Sequence, residues 1–364
     1  MGLRRVGVEE ELLLIEPDTG RPSAVAGTVL QVAERAAAQD LESELQQQQV
    51  ETNTQPCSSL DDLGRELRRG RAAADGAARQ AGVRAVALAT SPVPAEPELA
   101  RKPRYQKMAA AFGLTAQELL TCGCHVHVEV SSADEGAAAL DRIQPWLAIL
   151  LALSVNSPFW QGADSSYASF RYQAWGRWPS AGPTDWFGSA QAYDDTVQQM
   201  VRTGTLLDTG MVYFDARLSQ RYPTLEIRIA DICLRADDAV LIAALARALV
   251  ETEARAWRQG EPALQLRTEL LRLAAWRASR SGLDDALISP ATGQPDKAAS
   301  VAGMLVEHVS DALADAGETA TVAELLAAVL ARGTGAAFQR EAYQRSGELA
   351  DVAASAAAVT VPQG

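Results

Sequence analysis

Six side chains in three short stretches hold this chain's densest potential chemistry. "VGVEEELLL" (6–14) contains Glu9 and Glu11, "TCGCHVHVEV" (121–130) contains His125 and His127, and "TLEIRIAD" (224–231) contains Glu226 and Arg228. The chain has only three histidines in 364 residues, and two of them sit one residue apart. All three stretches are rich in Val, Leu and Ile and read as strands. Side chains alternate across a strand, so parity assigns each residue a face. Val6, Val8, Leu12 and Leu14 share an oily face on which Glu10 is the exception, while Glu9 and Glu11 lie opposite with Gly7, whose missing side chain leaves room. Cys122, Cys124, Val126, Val128 and Val130 oppose Gly123, His125, His127 and Glu129. Leu225, Ile227 and Ile229 oppose Glu226 and Arg228.

Neighbouring strands of this kind would collect carboxylates, imidazoles and a guanidinium on one wet face. Carboxylate oxygens with imidazole suit Mg²⁺ or Mn²⁺ bound together with a phosphorylated ligand. Arg228 suits stabilisation of a phosphoryl group in transfer. Glu51, in "QQQQVETN", could add a further carboxylate. Each element also has a plain reading. An acidic run near a strand is commonly a solvated edge, and Glu226 with Arg228 alone would be a surface pair contributing ~0.5 kcal/mol or less. The repetition of parity in three strands, with Gly7 and Gly123 beside the polar groups, favours a site.

The string C-x-C-H-x-H invites a zinc reading, but parity sends thiols and imidazoles to opposite faces, where one tetrahedral site cannot collect them. Cys122 and Cys124 therefore read as core, and His308, in "VAGMLVEHVSDAL", as an ordinary helical histidine. A metal hydrolase of the amidohydrolase type also places HxH on a strand. It needs further histidines from later strands, and only His308 remains. A nucleotide-binding protein without turnover is the other alternative.

The elements around these strands are legible in outline. Residues 23–39 and 58–81 read as helices, the second with an N-cap at Ser58 or Ser59. "LQQQQVETNTQP" reads as a strand with one polar face, and "VRAVALATSPV" as a buried strand ended by proline. Residues 136–155 form an apolar helix interrupted at Pro145. Residues 156–188, dense in Gly, Pro and Ser yet holding four of the seven tryptophans, read as an ordered loop covering a substrate. From about 236 the pattern is helical, with a frayed tail at "AASAAAVTVPQG".

The formal charge of −13 argues against nucleic-acid or anionic-membrane surfaces, where Lys and Arg must neutralise phosphates. No apolar run suggests a signal peptide or membrane span, and Val6 breaks the myristoylation pattern. Four cysteines, Cys57, Cys122, Cys124 and Cys233, fit a reduced, cytoplasmic protein. The expectation is one catalytic domain over 1–364, strand-rich at about 4–235 and mainly helical at about 236–358.

Taken together, "VGVEEELLLIEPDTG", "TCGCHVHVEV", "NSPFWQG" and "RYPTLEIRIAD" resemble the carboxylate-amine ligases, or type 2 glutamate–cysteine ligases, in the same order from about residue 5 to about 345. The resemblance places the chain in the glutamine synthetase-like superfamily. It implies an α+β fold with a curved, mainly antiparallel sheet, ATP and divalent metals on the concave face, and helices packed outside. G-x-E-x-E falls on Gly7, Glu9 and Glu11, G-x-H-x-H on Gly123, His125 and His127, and E-x-R on Glu226 and Arg228. By this resemblance Glu9, Glu51 and Glu226 hold metal, and Glu11 and His125 share a second site. His127 belongs to the nucleotide site, Glu226 and Arg228 carry the catalytic roles, and Arg217 and Arg228 contact phosphates. Arg171 contacts ATP or the acid substrate. The implied reaction joins an amino-acid carboxylate to an amine with ATP through an acyl phosphate, most simply glutamate and cysteine, in a homodimer or higher homo-oligomer. Two departures stand out: Cys124 where methionine is common, and Glu129 where a small residue is usual.

Overall fold

The three motif strands are neighbours. In the computed structural model, which describes residues 2–36 and 41–362, β1 (Val6–Ile15) is the spine of a seven-stranded antiparallel sheet. On one side it pairs with β3 (Gln49–Asn53), which pairs with β2 (Leu41–Ser43). On the other it pairs with β5 (Cys124–Glu129), followed by β9 (Thr224–Ile227) and β8 (Ala216–Leu218). The short β4 (Arg84–Val86) closes on the far end of β1. The chain between β5 and β8 also holds a two-stranded hairpin, β6 (Phe159–Trp160) and β7 (Ala163–Asp164). A second hairpin, β10 (Ala286–Ile288) and β11 (Pro295–Lys297), interrupts the helical C-terminal part.

The oily strand faces pack as parity requires. Val6, Val8, Cys124, Val126, Val128, Leu225 and Ile227 are buried in one cluster with Leu63 and Leu67 of the helix Leu60–Gln80 and Leu241 and Leu245 of the helix Ala236–Arg258. Ser59 caps the first of these helices by accepting from the Asp62 amide. Glu10, the one acid on the oily face, meets Arg71 of that helix through two hydrogen bonds of 2.8 and 2.6 Å, both side chains fully buried. Arg71 also donates to the Leu234 and Cys233 carbonyls, so one guanidinium ties β1, a helix and the chain beyond β9 together.

Several expectations need correction. The buried segment from 84 pairs as a strand only at Arg84–Val86; the following residues are buried without a ladder. The first helix spans Ala26–Arg35, and residues 37–40 lie outside the described residues. The tail is not frayed: Leu349–Thr360 is a helix whose Val352, Ala353, Ala356 and Ala357 are buried, and Thr360 accepts from the Ala87 amide. Small alanines allow that close approach; at Gly20 (φ 67°) an added Cβ would lie 2.8 Å from Ala353. The apolar stretch at 133–154 has the length of a membrane span, but a 3₁₀ turn at Gln144–Trp146 breaks it and it is buried in the core. The apolar stretch at 319–346 is two helices broken at Gly333.

The long segment after the core helix is ordered. β6 and β7 turn through Gln161 and Gly162, both at positive φ, the pairing a tight hairpin needs. Ser169 caps the helix Phe170–Trp175. Ser157 and Ser169 donate to Asp231, which also accepts from the Asn156 amide and is fully buried just beyond β9. The glutamine run does similar work: Gln46 donates to the Ala116 and Leu119 carbonyls, Gln48 to Glu96 and Gln49 to Thr121. These amides fix the loops flanking the sheet's wet face.

Candidate active site

Register explains why the motif glycines and acids share a spacing. β1 and β5 run antiparallel with Gly7 opposite His127 and Glu9 opposite His125, and Glu11 exchanges backbone and side-chain bonds with Gly123. Each strand thus sets its glycine against the other's bulky polar group. Across β9, His127 faces Glu226, and Arg217 of β8 faces Glu226 from the other side. On the opposite flank Glu11 faces Glu51, which faces Glu42. The result is the floor of a basin of about 1200 Å³, lined by Glu9, Glu11, Glu51, His125, His127, Arg217, Glu226 and Arg228 among others.

Two acidic groups divide this floor. Glu9, His127 and Glu226 offer ligand atoms within 4.8 Å of one another, as do Glu11, Glu44 and Glu51. The partition differs from the sequence expectation: Glu51 joins Glu11 rather than Glu9 and Glu226. His125 stands between the groups, its Nδ1 3.3 Å from Glu9 and its Nε2 4.0 Å from Glu11. Glu44 was missed. It follows a three-residue strand, and the only hint was the alternation of Glu42 and Glu44 in "LESEL".

The electrostatics follow from burial and neighbours. Burial alone would raise the Glu9 carboxyl, but the two imidazoles more than offset this and hold it well below the usual carboxylate range. Burial and then the Glu44 charge push Glu11 up to about 7 and Glu51 well above its ordinary value. Burial and the Arg228 charge push His125 down to about 4, so its imidazole is neutral near pH 7. For Glu226 burial opposes, yet Arg228 and Arg217 together hold it at about 2. Arg217 binds Glu226 at 2.7 and 3.0 Å while also donating to the Val212 carbonyl, and Arg228 donates to the same carboxylate.

The donor sets fit divalent cations. His127 is oriented by a 2.9 Å contact from Nδ1 to Thr224, which leaves Nε2 for the basin. That buried Nε2 has no hydrogen-bond partner, although Glu9 Oε1 lies 3.1 Å away off the required line. An imidazole nitrogen left unused between two carboxylates suits a cation shared with them. Three clustered carboxylates at Glu11, Glu44 and Glu51 likewise gain most from a positive ion.

The remaining candidates fall outside the floor. Arg171 is buried behind it, beside Gly123, with its guanidinium facing the Ile229 and Arg228 carbonyls at 3.4 and 3.5 Å and Asp231 at 3.8 Å. It stacks on Trp175 and does not line the basin. Glu129 sits at the rim, paired with exposed Arg5. Cys122 and Cys124 are buried, and burial raises both thiols. His308 stacks on Trp146 and contacts Glu253 at 2.8 Å, away from the basin, so no third histidine completes a hydrolase site.

Solved structures share this architecture. A glutamate–cysteine ligase from Francisella tularensis, crystallised in complex with AMP, superposes with a TM-score of 0.70 at 12% identity over 100% of this chain and 90% of that one. A bifunctional glutathione synthetase from Pasteurella multocida gives 0.69 at 16% identity, over 98% of this chain and 52% of its own. The fold is that of the glutamine synthetase-like ligases. The family model for glutamate-cysteine ligase family 2 matches residues 5–355. A Streptomyces avermitilis protein provisionally named glutamate–cysteine ligase 2-1 is 54% identical over 96% of this chain and 97% of its own. One from Paenarthrobacter aurescens with the same provisional name is 49% identical over 99% and 96%. The chain belongs to glutamate-cysteine ligase family 2, and with it to the enzymes that form carbon–nitrogen bonds.

Proposed function

We propose that the chain uses ATP to join an amino-acid carboxylate to an amine, with glutamate and L-cysteine, giving γ-glutamylcysteine, as the pair to test first. One observation carries this reading: strand register gathers Glu9, Glu11, His125, His127, Glu226 and Arg228 on a single basin floor. The substrate carboxylate oxygen attacks the γ-phosphorus of ATP, the bond to the bridging oxygen breaks, and ADP leaves. The amine nitrogen then attacks the acyl carbon, phosphate departs with the bonding electrons, and the nitrogen's proton passes to phosphate or solvent. A carboxylate has no leaving group until it is phosphorylated, so no nucleophilic Ser or Cys is needed.

The first step brings two anions together. Arg228 supplies fixed positive charge at the floor, and its buried Nε has no partner, so it is free to donate to a phosphate or carboxylate oxygen. Arg217 holds Glu226 in place and adds charge at the edge. Neutral His125 presents a nitrogen lone pair without repelling cations. Mg²⁺ or Mn²⁺ held by Glu9, His127 and Glu226 and by Glu11, Glu44 and Glu51 would neutralise the triphosphate and polarise its γ-phosphoryl group.

ADP release with glutamate and a panel of amines, under saturating ATP and Mg²⁺, tests the reading. Wild type turns over, while Glu9→Gln and Arg228→Ala remain folded by circular dichroism and release no ADP. Full turnover by either variant refutes the site.

A further inference from the structure

The helix Thr268–Ser281 buries one face and leaves the other bare. Leu271, Ala274, Ala275 and Ala278 are buried where it packs on the helices Leu147–Ser154 and Phe170–Trp175. On the outer face Leu270, Leu273 and Trp276 are 45%, 61% and 45% exposed. Spacings of four, three and four residues put Glu269, Leu273, Trp276 and Arg280 in one line along the helix. That line reads acid, leucine, tryptophan, base over about 16 Å. Trp276 is braced by the Tyr167 ring, edge-on at 6.3 Å, and Arg280 lies over the same ring at 5.4 Å and donates to the Ser166 carbonyl. Both end charges are available. Asp164, the acid in the field of Arg280, is held by Arg340, and Glu269 has only an exposed pairing with Arg267, of a kind that contributes little. The other arginines of the helix are engaged: Arg277 donates to the Ala286 carbonyl at 2.7 Å and lies 3.5 Å from Asp285, and Arg272 acts on buried Asp215 and Tyr172.

We infer that this face docks a second copy of the chain through the same helix, antiparallel about a two-fold axis. A contact of that symmetry demands a surface complementary to itself. With the axis midway between positions 273 and 276, Leu273 of one copy meets Trp276 of the other, and Glu269 meets Arg280, each contact occurring twice. A parallel pairing sets like charges together, and a partner of uniform charge meets one attracting and one repelling end. A stable dimer buries about 800 Å² per copy, more than one helix supplies. Leu264, 39% exposed, and Trp186, 42% exposed and joined to the helix by the hydrogen bond from Thr268 to Asp185, adjoin its N-terminal end. In the antiparallel arrangement that end faces the Tyr167 and Arg280 end of the other copy.

Sedimentation velocity of the full chain between about 1 and 100 μM tests the inference. Wild type is expected to be dimeric by about 10 μM. Leu273→Glu and Trp276→Glu, at exposed positions, should keep the circular dichroism of wild type and raise the dissociation constant at least about tenfold. Glu269→Arg and Arg280→Glu each weaken self-association, because each sets like charges opposite one another. An equimolar mixture of those two variants regains the dimer, since both charged contacts between unlike copies are then attractive. Wild type that stays monomeric at about 100 μM overturns the inference and leaves the face to some other occupant. A dimer that Leu273→Glu and Trp276→Glu leave unchanged overturns it too, because the interface then lies elsewhere. Where either apolar variant loses its circular dichroism, the mixture decides alone, and its failure to regain the dimer overturns the antiparallel pairing.

Discussion

Replacing Gly123 with alanine tests the interlock of the two central strands. A Cβ there would lie 2.3 Å from Arg171 Nη2 and 3.0 Å from both Arg171 Cζ and His125 Nε2. Ordinary contact needs about 3.5 Å, so the guanidinium must retreat by roughly 1 Å. It cannot swing into water, being buried against two carbonyls and Asp231. Over-packing of this kind costs about 1–3 kcal/mol, and weakening a buried charged group's hydrogen bonds adds to it, so the expected loss is about 2–4 kcal/mol. The Gly123 amide also donates to Glu11 at 2.6 Å, so any strand shift reaches the site. Gly7→Ala is the matched control, because its Cβ would meet only Thr54 Oγ1 at 3.9 Å, and it should stay within about 0.5 kcal/mol. Urea melts of both variants give the comparison. Arg171→Met in the Gly123→Ala background should be non-additive, since both changes act on one contact. Equal stability of the two glycine variants would refute the interlock.

The buried pair on the opposite face makes a second prediction. Glu10→Gln strands the Arg71 charge and should cost about 3–5 kcal/mol in urea melts, whereas Glu10→Leu with Arg71→Met should recover much of it. A third concerns the acidic cluster. Glu11 and Glu51 have folded values above the ordinary carboxylate value, so metal-free stability from this source is complete below about pH 4.5 and falls as pH rises through about 7, by about 3 kcal/mol for Glu11. Mg²⁺ should therefore raise the melting temperature more near pH 8 than near pH 5.5, and Glu51→Gln should reduce that difference. An equal Mg²⁺ effect at both pH values would contradict it.

What the sequence made legible was what strand periodicity controls. Glu9, Glu11, His125, His127, Glu226 and Arg228 reach one face because period-two alternation needs no knowledge of partners, and antiparallel pairing then aligns the glycines with the bulky groups. Glu44 escaped because it follows a strand too short to show alternation. Tyr105, Trp175 and Tyr213, which also line the basin, escaped for a different reason: they come from three distant segments that only tertiary packing joins. The resemblance made Arg171 a contact for ATP or the acid substrate, whereas tertiary packing against Trp175 and Asp231 buries it behind the floor. The tail read as frayed because alanine-rich sequence gives no strong amphipathic signal, although its small side chains are what let Leu349–Thr360 dock closely.

The central claim is that one basin floor holds two cation groups around a nucleotide. Manganese binding in the presence of a non-hydrolysable ATP analogue, counted by electron paramagnetic resonance, tests it most directly. Two ions per chain are expected, with one lost in Glu226→Gln and the other in Glu51→Gln. Binding that neither substitution alters would contradict the account.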